Sequence, residues 1–449
     1  MTQGPSRVLR KSDMKVVVIG AGLAGSEAAL QLAKKGIDVD LYEMRPENTT
    51  GAHKTEKPAE LVCSNSLGSN DVLVASGLLK QELRVLDSEL IKAADETAVP
   101  AGNALAIDRE LFSSKIEEKI KLNPKINFIR KEIKKIPDST TPVIIAAGPL
   151  CSEELSEDIK NFVDSEYLSF YDAIAPIVEK ESLDFSKAFY ANRYNKGDAS
   201  YINCPMNKEQ YLKFYDILIN SPKIELKDFE KKAKFFESCL PIEVLASRGV
   251  DTLRYGPLKP VGLVDDRTGE KNYAVVQLRQ DNLCASLYNL VGFQTNLKWS
   301  AQKELLQSIP GMEHVNIVRY GVMHKNTFLF SPKVLRRTLQ SKKRENLFFC
   351  GQMTGTEGYT EAIASGLVAG VNMARYLSSE TLMEFPSMTM IGALLKYITY
   401  EGHATLNPIN SNWGIIKQDE EVNKKFRKDK KLKNEFYAKR SLECLKTIK

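Results

Sequence analysis

A glycine turn between an apolar run and a helix-like stretch lies near the N-terminus, and a second strand–glycine–helix segment lies far down the chain; together they predict an α/β fold with a parallel sheet. The stretch between them differs in texture and predicts a second, mixed α/β unit inserted into the first.

The opening run is Val16-Val17-Val18-Ile19, a short buried strand by its β-branched content. Gly20-Ala21-Gly22-Leu23-Ala24-Gly25 follows, then a helical stretch over residues 26–35. A second strand, Val39-Asp40-Leu41-Tyr42, ends on Glu43, eighteen residues past Gly25. This is the dinucleotide fingerprint in its full context of strand, glycine turn, helix, strand and acid. Gly20 permits the tight turn, Gly22 lets backbone approach a pyrophosphate, and Gly25 lets helix pack against strand. The helix N-terminus then offers free N–H groups and partial positive charge to phosphates. Glu43 is positioned to accept hydrogen bonds from a ribose.

A long connection over residues 44–58 has no periodic pattern, which marks it as functional. Leu79, Leu83, Leu86 and Leu90 recur at helical spacing and predict one helix over about 78–95. Pro142-Val143-Ile144-Ile145-Ala146-Ala147-Gly148 reads as a buried strand that returns to the first sheet. Residues 192–309 contain aromatic segments, Pro/Gly corners and the alternating Tyr273-Ala274-Val275-Val276-Gln277-Leu278, so an antiparallel sheet is expected there. Asn346-Leu347-Phe348-Phe349-Cys350-Gly351 is then a strand ending on glycine. A glycine-rich loop over 352–359 and a helix over 361–377, close-packed through Gly366, Ala369 and Gly370, complete the pattern. Two separated nucleotide-type segments favour FAD over NAD as the tightly held group. The predicted architecture is thus a Rossmann-type FAD-binding domain of the glutathione-reductase kind with an inserted mixed α/β domain. Its parts are a disordered extension (1–13), the FAD domain (14–191 and 310–449) and the insertion (192–309).

Composition narrows the class. With 43% apolar and 27% charged residues the chain reads as an ordinary globular enzyme. No apolar run approaches the ~20 residues needed to span a bilayer. The polar first thirteen residues lack the apolar centre of a secretory signal. Seven scattered cysteines without CxxC spacing argue against a disulfide framework and a zinc site, and for the reducing cytoplasm; no metal is expected. The net charge is +6, and residues 417–449 alone hold twelve Lys or Arg against six Asp or Glu. This basic C-terminal tail suits a phosphate backbone, although a solvated helix face explains the same residues.

Several longer stretches carry a family resemblance. Glu60-Leu61-Val62-Cys63-Ser64-Asn65-Ser66-Leu67, Ala98-Val99-Pro100-Ala101-Gly102 and Phe170-Tyr171-Asp172-Ala173 are among them. So are Phe235-Phe236-Glu237-Ser238-Cys239-Leu240-Pro241-Ile242-Glu243, Val275-Val276-Gln277-Leu278-Arg279-Gln280-Asp281 and Arg319-Tyr320-Gly321-Val322-Met323-His324. The last is Gly351-Gln352-Met353-Thr354-Gly355-Thr356-Glu357-Gly358-Tyr359. Together they resemble the bacterial FAD- and folate-dependent tRNA uracil-5-methyltransferases over about residues 14–445. One position departs from the pattern: Gly68 stands where the family usually has Arg.

The resemblance implies transfer of a carbon from 5,10-methylenetetrahydrofolate to C5 of a uridine, with electrons from NADH or NADPH passing through FAD. Its target is the T-loop uridine at tRNA position 54. Uracil C5 becomes nucleophilic once a thiolate adds at C6, and a base must then take the C5 proton. The family's matched pair is Cys239 and Cys63; we assign Cys239 as the C6 nucleophile and Cys63 as the C5 proton acceptor, the reverse remaining open. Pro241 and Glu243 suit a helix start close to Cys239, and Arg248, Arg254 and Lys259 are nearby sources of positive potential. Cys151, Cys204, Cys284, Cys350 and Cys444 read as core thiols.

The resemblance places the cofactor on Gly20, Ala21, Gly22, Leu23, Ala24, Gly25 and Glu43, and on Gly351, Gln352, Glu357 and Gly358. His324 is the residue expected to stack on a pterin or nicotinamide, and His53 to reach the adenosine end. Arg193, Lys196, Arg254, Lys259, Arg279 and the tail lysines are the expected phosphate contacts. A ribosomal RNA uridine as target, a plain NAD(P)H-dependent flavin oxidoreductase and a non-catalytic flavin-bound RNA-binding protein remain open at this level.

Overall fold

The computed structural model describes residues 15–448 apart from 51, 164–167, 174, 196–199, 225–239, 266, 268, 270, 283–284, 322, 404–405 and 407, with the backbone alone at 168–173, 195 and 323–327. The expected N-terminal extension (1–13), Lys196, Cys239 and Cys284 therefore lie outside the described residues.

The strands Leu347–Phe349, Val143–Ile145, Val16–Ile19, Val39–Glu43 and Ile126–Arg130 form one sheet in that spatial order, and every neighbouring pair is parallel. Its central strands are almost wholly apolar and buried because helices cover both faces. The predicted returns of the Val143–Ile145 and Leu347–Phe349 strands to the first sheet are both observed. Helix Leu23–Lys34 packs along helix Tyr359–Leu377. Gly366 makes that approach possible, since a Cβ there would sit 2.2 Å from the Ala24 carbonyl oxygen.

A second sheet is antiparallel and runs Phe189–Tyr190, Tyr201–Met206, Ala274–Gln280, Leu287–Leu290, Ile177–Glu179, Ile317–Arg319. It has its own core, with Tyr211 and Phe214 of helix Lys208–Asn220 packed on Ile202 and Leu278. The sheet was expected, but it draws strands from both sides of the 192–309 span. Ile177–Glu179 and Ile317–Arg319 are three residues each, too short to show alternation, and only pairing across the chain reveals them.

One local expectation changes. The single helix over 78–95 is two helices, Ala75–Val85 and Glu89–Glu96, broken where Asp87 takes a left-handed φ of 63°. Ser88 caps the second by accepting the Ile91 N–H, and buried Glu27 accepts the Glu89 and Leu90 N–H groups. The basic tail is helical, in line with its reading as a solvated helix face. Helix Lys430–Thr447 packs Tyr437, Ala438, Ser441 and Leu445 inward, while Lys424, Lys425, Arg427, Lys428, Lys430 and Lys431 face solvent. Ser441 donates to Glu82, which also accepts the Met390 (2.6 Å) and Ile391 (2.8 Å) N–H groups. Burial pushes the Glu82 carboxyl up to about 7 despite these donors. Among the described residues no helix is long and apolar enough to cross a membrane.

Candidate active site

The cleft beside the first strand grows directly from the glycine turn. Gly20 has φ +99°, and a Cβ on Gly25 would sit 1.8 Å from the Gly20 carbonyl oxygen. At Gly22 a Cβ would meet no described atom within 4 Å, and Gly22 lines the cleft. Among the described residues no side chain caps the N-terminus of helix Leu23–Lys34, which leaves its first N–H groups for a ligand. Gly25→Ala is expected to destabilise the fold by about 1–3 kcal/mol through overpacking. Gly22→Ala should melt like the parent yet retain less flavin; thermal melts alongside flavin absorbance after gel filtration check both.

Glu43, at the end of its strand, lines the same cleft and is buried. Its carboxylate accepts the Ala21 N–H (3.1 Å) and both Nε (2.9 Å) and backbone N–H (3.2 Å) of Arg45. Burial raises its pKa, but the Arg45 hydrogen bonds and charge outweigh this and hold it below the usual carboxylate range. Arg45 is only 2% exposed and reaches Glu60 Oε2 at 3.0 Å and the Thr55 carbonyl at 3.0 Å. One buried guanidinium thus fixes the cleft-lining acid and ties the 44–58 connection down beside the cleft. Glu132 also lines the cleft, and its Oε1 is buried with no hydrogen-bond partner among the described residues. An opening of about 1070 Å³ with a bare helix N-terminus at one end and acceptors elsewhere fits a dinucleotide.

Gly351, Gln352, Gly358 and Tyr359 line the cleft from the other side, as does His53, whose Nδ1 lies 2.6 Å from Thr50 Oγ1. Glu357 is buried but not on the lining; its N–H donates to the Ile409 carbonyl. His324 lies in strand Met323–Phe328, paired in register with Asp172 of Leu168–Ala173, and this ribbon abuts the Gln352–Thr354 turn. Cys151 is corrected from core thiol to cleft wall, and burial raises its thiol to about 11. Cys204 and Cys350 are fully buried, as expected of core thiols.

The Cys63 segment is held at the head of this cleft. The Cys63 N–H donates to the Tyr359 hydroxyl at 2.6 Å, and Tyr359 begins the helix that covers the cleft. Arg109 donates to the Leu61 (2.7 Å) and Cys63 (3.0 Å) carbonyls while gripping Asp281 through Nε and Nη2. Arg319 donates to the Val62 carbonyl at 2.7 Å. Burial opposes the charge on Arg109, but Asp281 more than offsets it and raises its pKa. Two guanidinium groups therefore converge on the thiol-bearing segment. Sequence reading missed Arg45, which no motif singles out, and Arg109, whose partner Asp281 lies 172 positions away; Tyr359, Arg319 and Asp281 sat inside quoted motifs without a role.

On the other thiol's side, helix Ile242–Ala246 starts just after Pro241, as expected. Glu243 turns inward to accept the Asn296 N–H (2.7 Å) and the Thr295 hydroxyl (2.9 Å). Arg254 stacks 3.5 Å from the Tyr273 ring centroid and pairs with Asp251, and so is a poor source of free charge. Arg279 is corrected as a phosphate contact. Its Nε donates to Asn65 Oδ1 and its Nη2 to Asn289 Oδ1, both at 3.2 Å, inside the junction of the two sheets. Gly68 has φ +80°, a conformation that strains an Arg side chain, so the departure at this position fits its backbone. Among the described residues no three His, Cys, Asp or Glu side chains gather as a metal site.

The fold and this cleft define a two-domain protein with a dinucleotide site, the class to which flavoproteins belong. The family model described as glucose inhibited division protein A matches residues 15–381. A methylenetetrahydrofolate–tRNA-(uracil-5-)-methyltransferase TrmFO from Anoxybacillus flavithermus is 55% identical over 97% of this chain and 99% of its own length. That of Bacillus subtilis is 54% identical over 96% of this chain and 98% of its own. The crystal structure of Aquifex aeolicus GidA in form II superposes with TM-score 0.68 at 18% identity, covering 97% of this chain and 76% of that one, and shares the fold. The chain belongs to the glucose inhibited division protein A family and, within it, to the methylenetetrahydrofolate–tRNA-(uracil-5-)-methyltransferases.

Proposed function

We propose that this protein methylates C5 of the T-loop uridine at tRNA position 54, taking the carbon from 5,10-methylenetetrahydrofolate and the electrons from NADH or NADPH through FAD. The observation that carries this reading is the tether between Cys63 and Tyr359, which puts a thiol-bearing segment at the head of a dinucleotide cleft. The glycine turn, the free N–H groups after Gly22 and the Glu43–Arg45 pair would hold the pyrophosphate and ribose of FAD. Bound and reduced, FAD supplies the hydride that turns the transferred methylene into a methyl group.

The remaining chemistry falls to the chain. Cys239 adds as thiolate to C6 of the uracil, which makes C5 nucleophilic toward the folate methylene. Cys63 then takes the C5 proton, the resulting enolate expels tetrahydrofolate to leave an exocyclic methylene, and the Cys239–C6 bond breaks as hydride reduces that methylene to methyl and C5=C6 re-forms. Arg109 and Arg319 fix the backbone on either side of Cys63 and lend positive potential to its thiolate form. The target uridine must leave its stack to reach these groups.

The test is direct. Purified protein incubated with carbon-labelled methylenetetrahydrofolate, NADH and unmodified tRNA should form labelled 5-methyluridine at position 54. Label confined to ribosomal RNA, or NADH oxidation with no label in either RNA, would overturn the reading.

A further inference from the structure

A second concavity has Ser69 and Tyr201 on its wall, Tyr201 being the strand partner of the Arg279 that holds Asn65. It encloses about 870 Å³, mouth included, where the loop after Val99 meets the second sheet. Its walls include Asn103, Asn192, Arg193, Tyr194, Tyr201 and Gln277, and no acidic residue lines it among those described. Arg193 has no carboxylate within ion-pair distance among the described residues, and its Nη1 donates to the Val261 carbonyl at 2.8 Å.

Tyr194 is the unusual member. Its φ is +59°, an outlier for a bulky side chain, yet the residue is 62% exposed. The ring lies over Gly262, where a Cβ would come within 2.9 Å of it, and the Tyr194 N–H donates to the Gly262 carbonyl at 2.7 Å. One face is therefore backed by chain and the other is presented to solvent. Such a wall of two tyrosine rings, that of Tyr194 the more exposed, one guanidinium and several amides matches a nucleotide: a heterocycle to stack, polar base edges and one phosphate. A single cation suits a bare polyanion poorly, and the amide-rich wall suits an apolar ligand poorly.

The place in the fold adds the second argument. Ser69 on the groove wall is six residues from Cys63, so the two lie within about 20 Å along the chain. Tyr201 pairs in register with Arg279, which itself holds Asn65. We infer that this groove binds an unstacked nucleotide of the RNA near the reacting uridine, with its base laid on Tyr194 and a phosphate on Arg193. The inference rests on the tRNA reading above and names where that RNA is gripped.

Binding of an unmodified tRNA transcript, measured by filter retention at fixed low salt, tests it. Tyr194→Gly frees the backbone of its left-handed strain, so its melting midpoint should be unchanged or higher. Its dissociation constant should nevertheless rise about 5- to 100-fold, the range for loss of one base–aromatic stack. Tyr194→Phe, which keeps the ring, should bind within about twofold of the parent. Tyr194→Gly binding like the parent overturns the inference, and so does weaker binding accompanied by a lower melting midpoint. Failure of the parent protein to methylate tRNA while Tyr194→Gly still loses RNA binding would sink the tRNA reading and leave the groove as an RNA site.

Discussion

Arg45→Met is expected to cost about 3–5 kcal/mol of stability, because it removes one partner of a buried ion pair and leaves the others uncompensated. Here the stranded groups are two carboxylates, Glu43 and Glu60, which meet the same guanidinium at 2.9 and 3.0 Å. The pH dependence gives a second reading. In the parent, Glu43 titrates below its ordinary 4.5, so its stabilising contribution is present above pH 4.5 and fades as pH falls through the lowered value. Without the Arg45 side chain only the Ala21 and position-45 backbone N–H groups still oppose burial, so the Glu43 pKa rises above its value in the parent and the stabilisation gained on ionisation is lost. The gap in unfolding free energy between parent and variant should therefore widen from pH 4 toward neutrality. Urea melts across that range, with flavin release followed alongside, provide the measurement; equal melts at neutral pH would contradict the role given to Arg45.

Cys63→Ala should lower methyl transfer by about 10²- to 10⁴-fold, the usual yield of a positioned acid–base group. The fold around it should survive, because the contact with Tyr359 uses the backbone N–H, which alanine retains. Role assignment needs a second substrate. On tRNA containing 5-fluorouridine at position 54, no C5 proton can be removed, and the covalent protein–RNA adduct accumulates. Cys63→Ala should still form that adduct, and Cys239→Ala should not. Adduct with Cys239→Ala and none with Cys63→Ala would exchange the two roles.

The glycine turn, the acid after the second strand and the late strand–glycine–helix segment were legible because each is a local pattern. A turn and a close helix packing demand glycine at fixed spacing, and the structure shows Gly20 in the turn and Gly25 at the packing contact, with Gly22 lining the cleft. The break at Asp87 was hidden because Leu79, Leu83, Leu86 and Leu90 keep helical spacing across it. A single left-handed residue and a serine cap interrupt the backbone without disturbing the apolar stripe. The basic tail showed its charge but not its docking, since the inward face of helix Lys430–Thr447 is mostly small or polar and meets a buried Glu82 far earlier in the chain.

By itself, then, the amino-acid order determined that a dinucleotide domain is present and where it begins and resumes. It could do so because strand, turn and helix preferences are set by neighbours a few residues apart. Tertiary structure alone decided that Arg45 joins Glu43 to Glu60, that Arg109 spans from Asp281 to the Cys63 carbonyl, and that Arg279 is spent on Asn65 and Asn289. Those choices pair charges and amides separated by up to 214 positions, and a buried polar group takes whichever partner the folded backbone brings within reach.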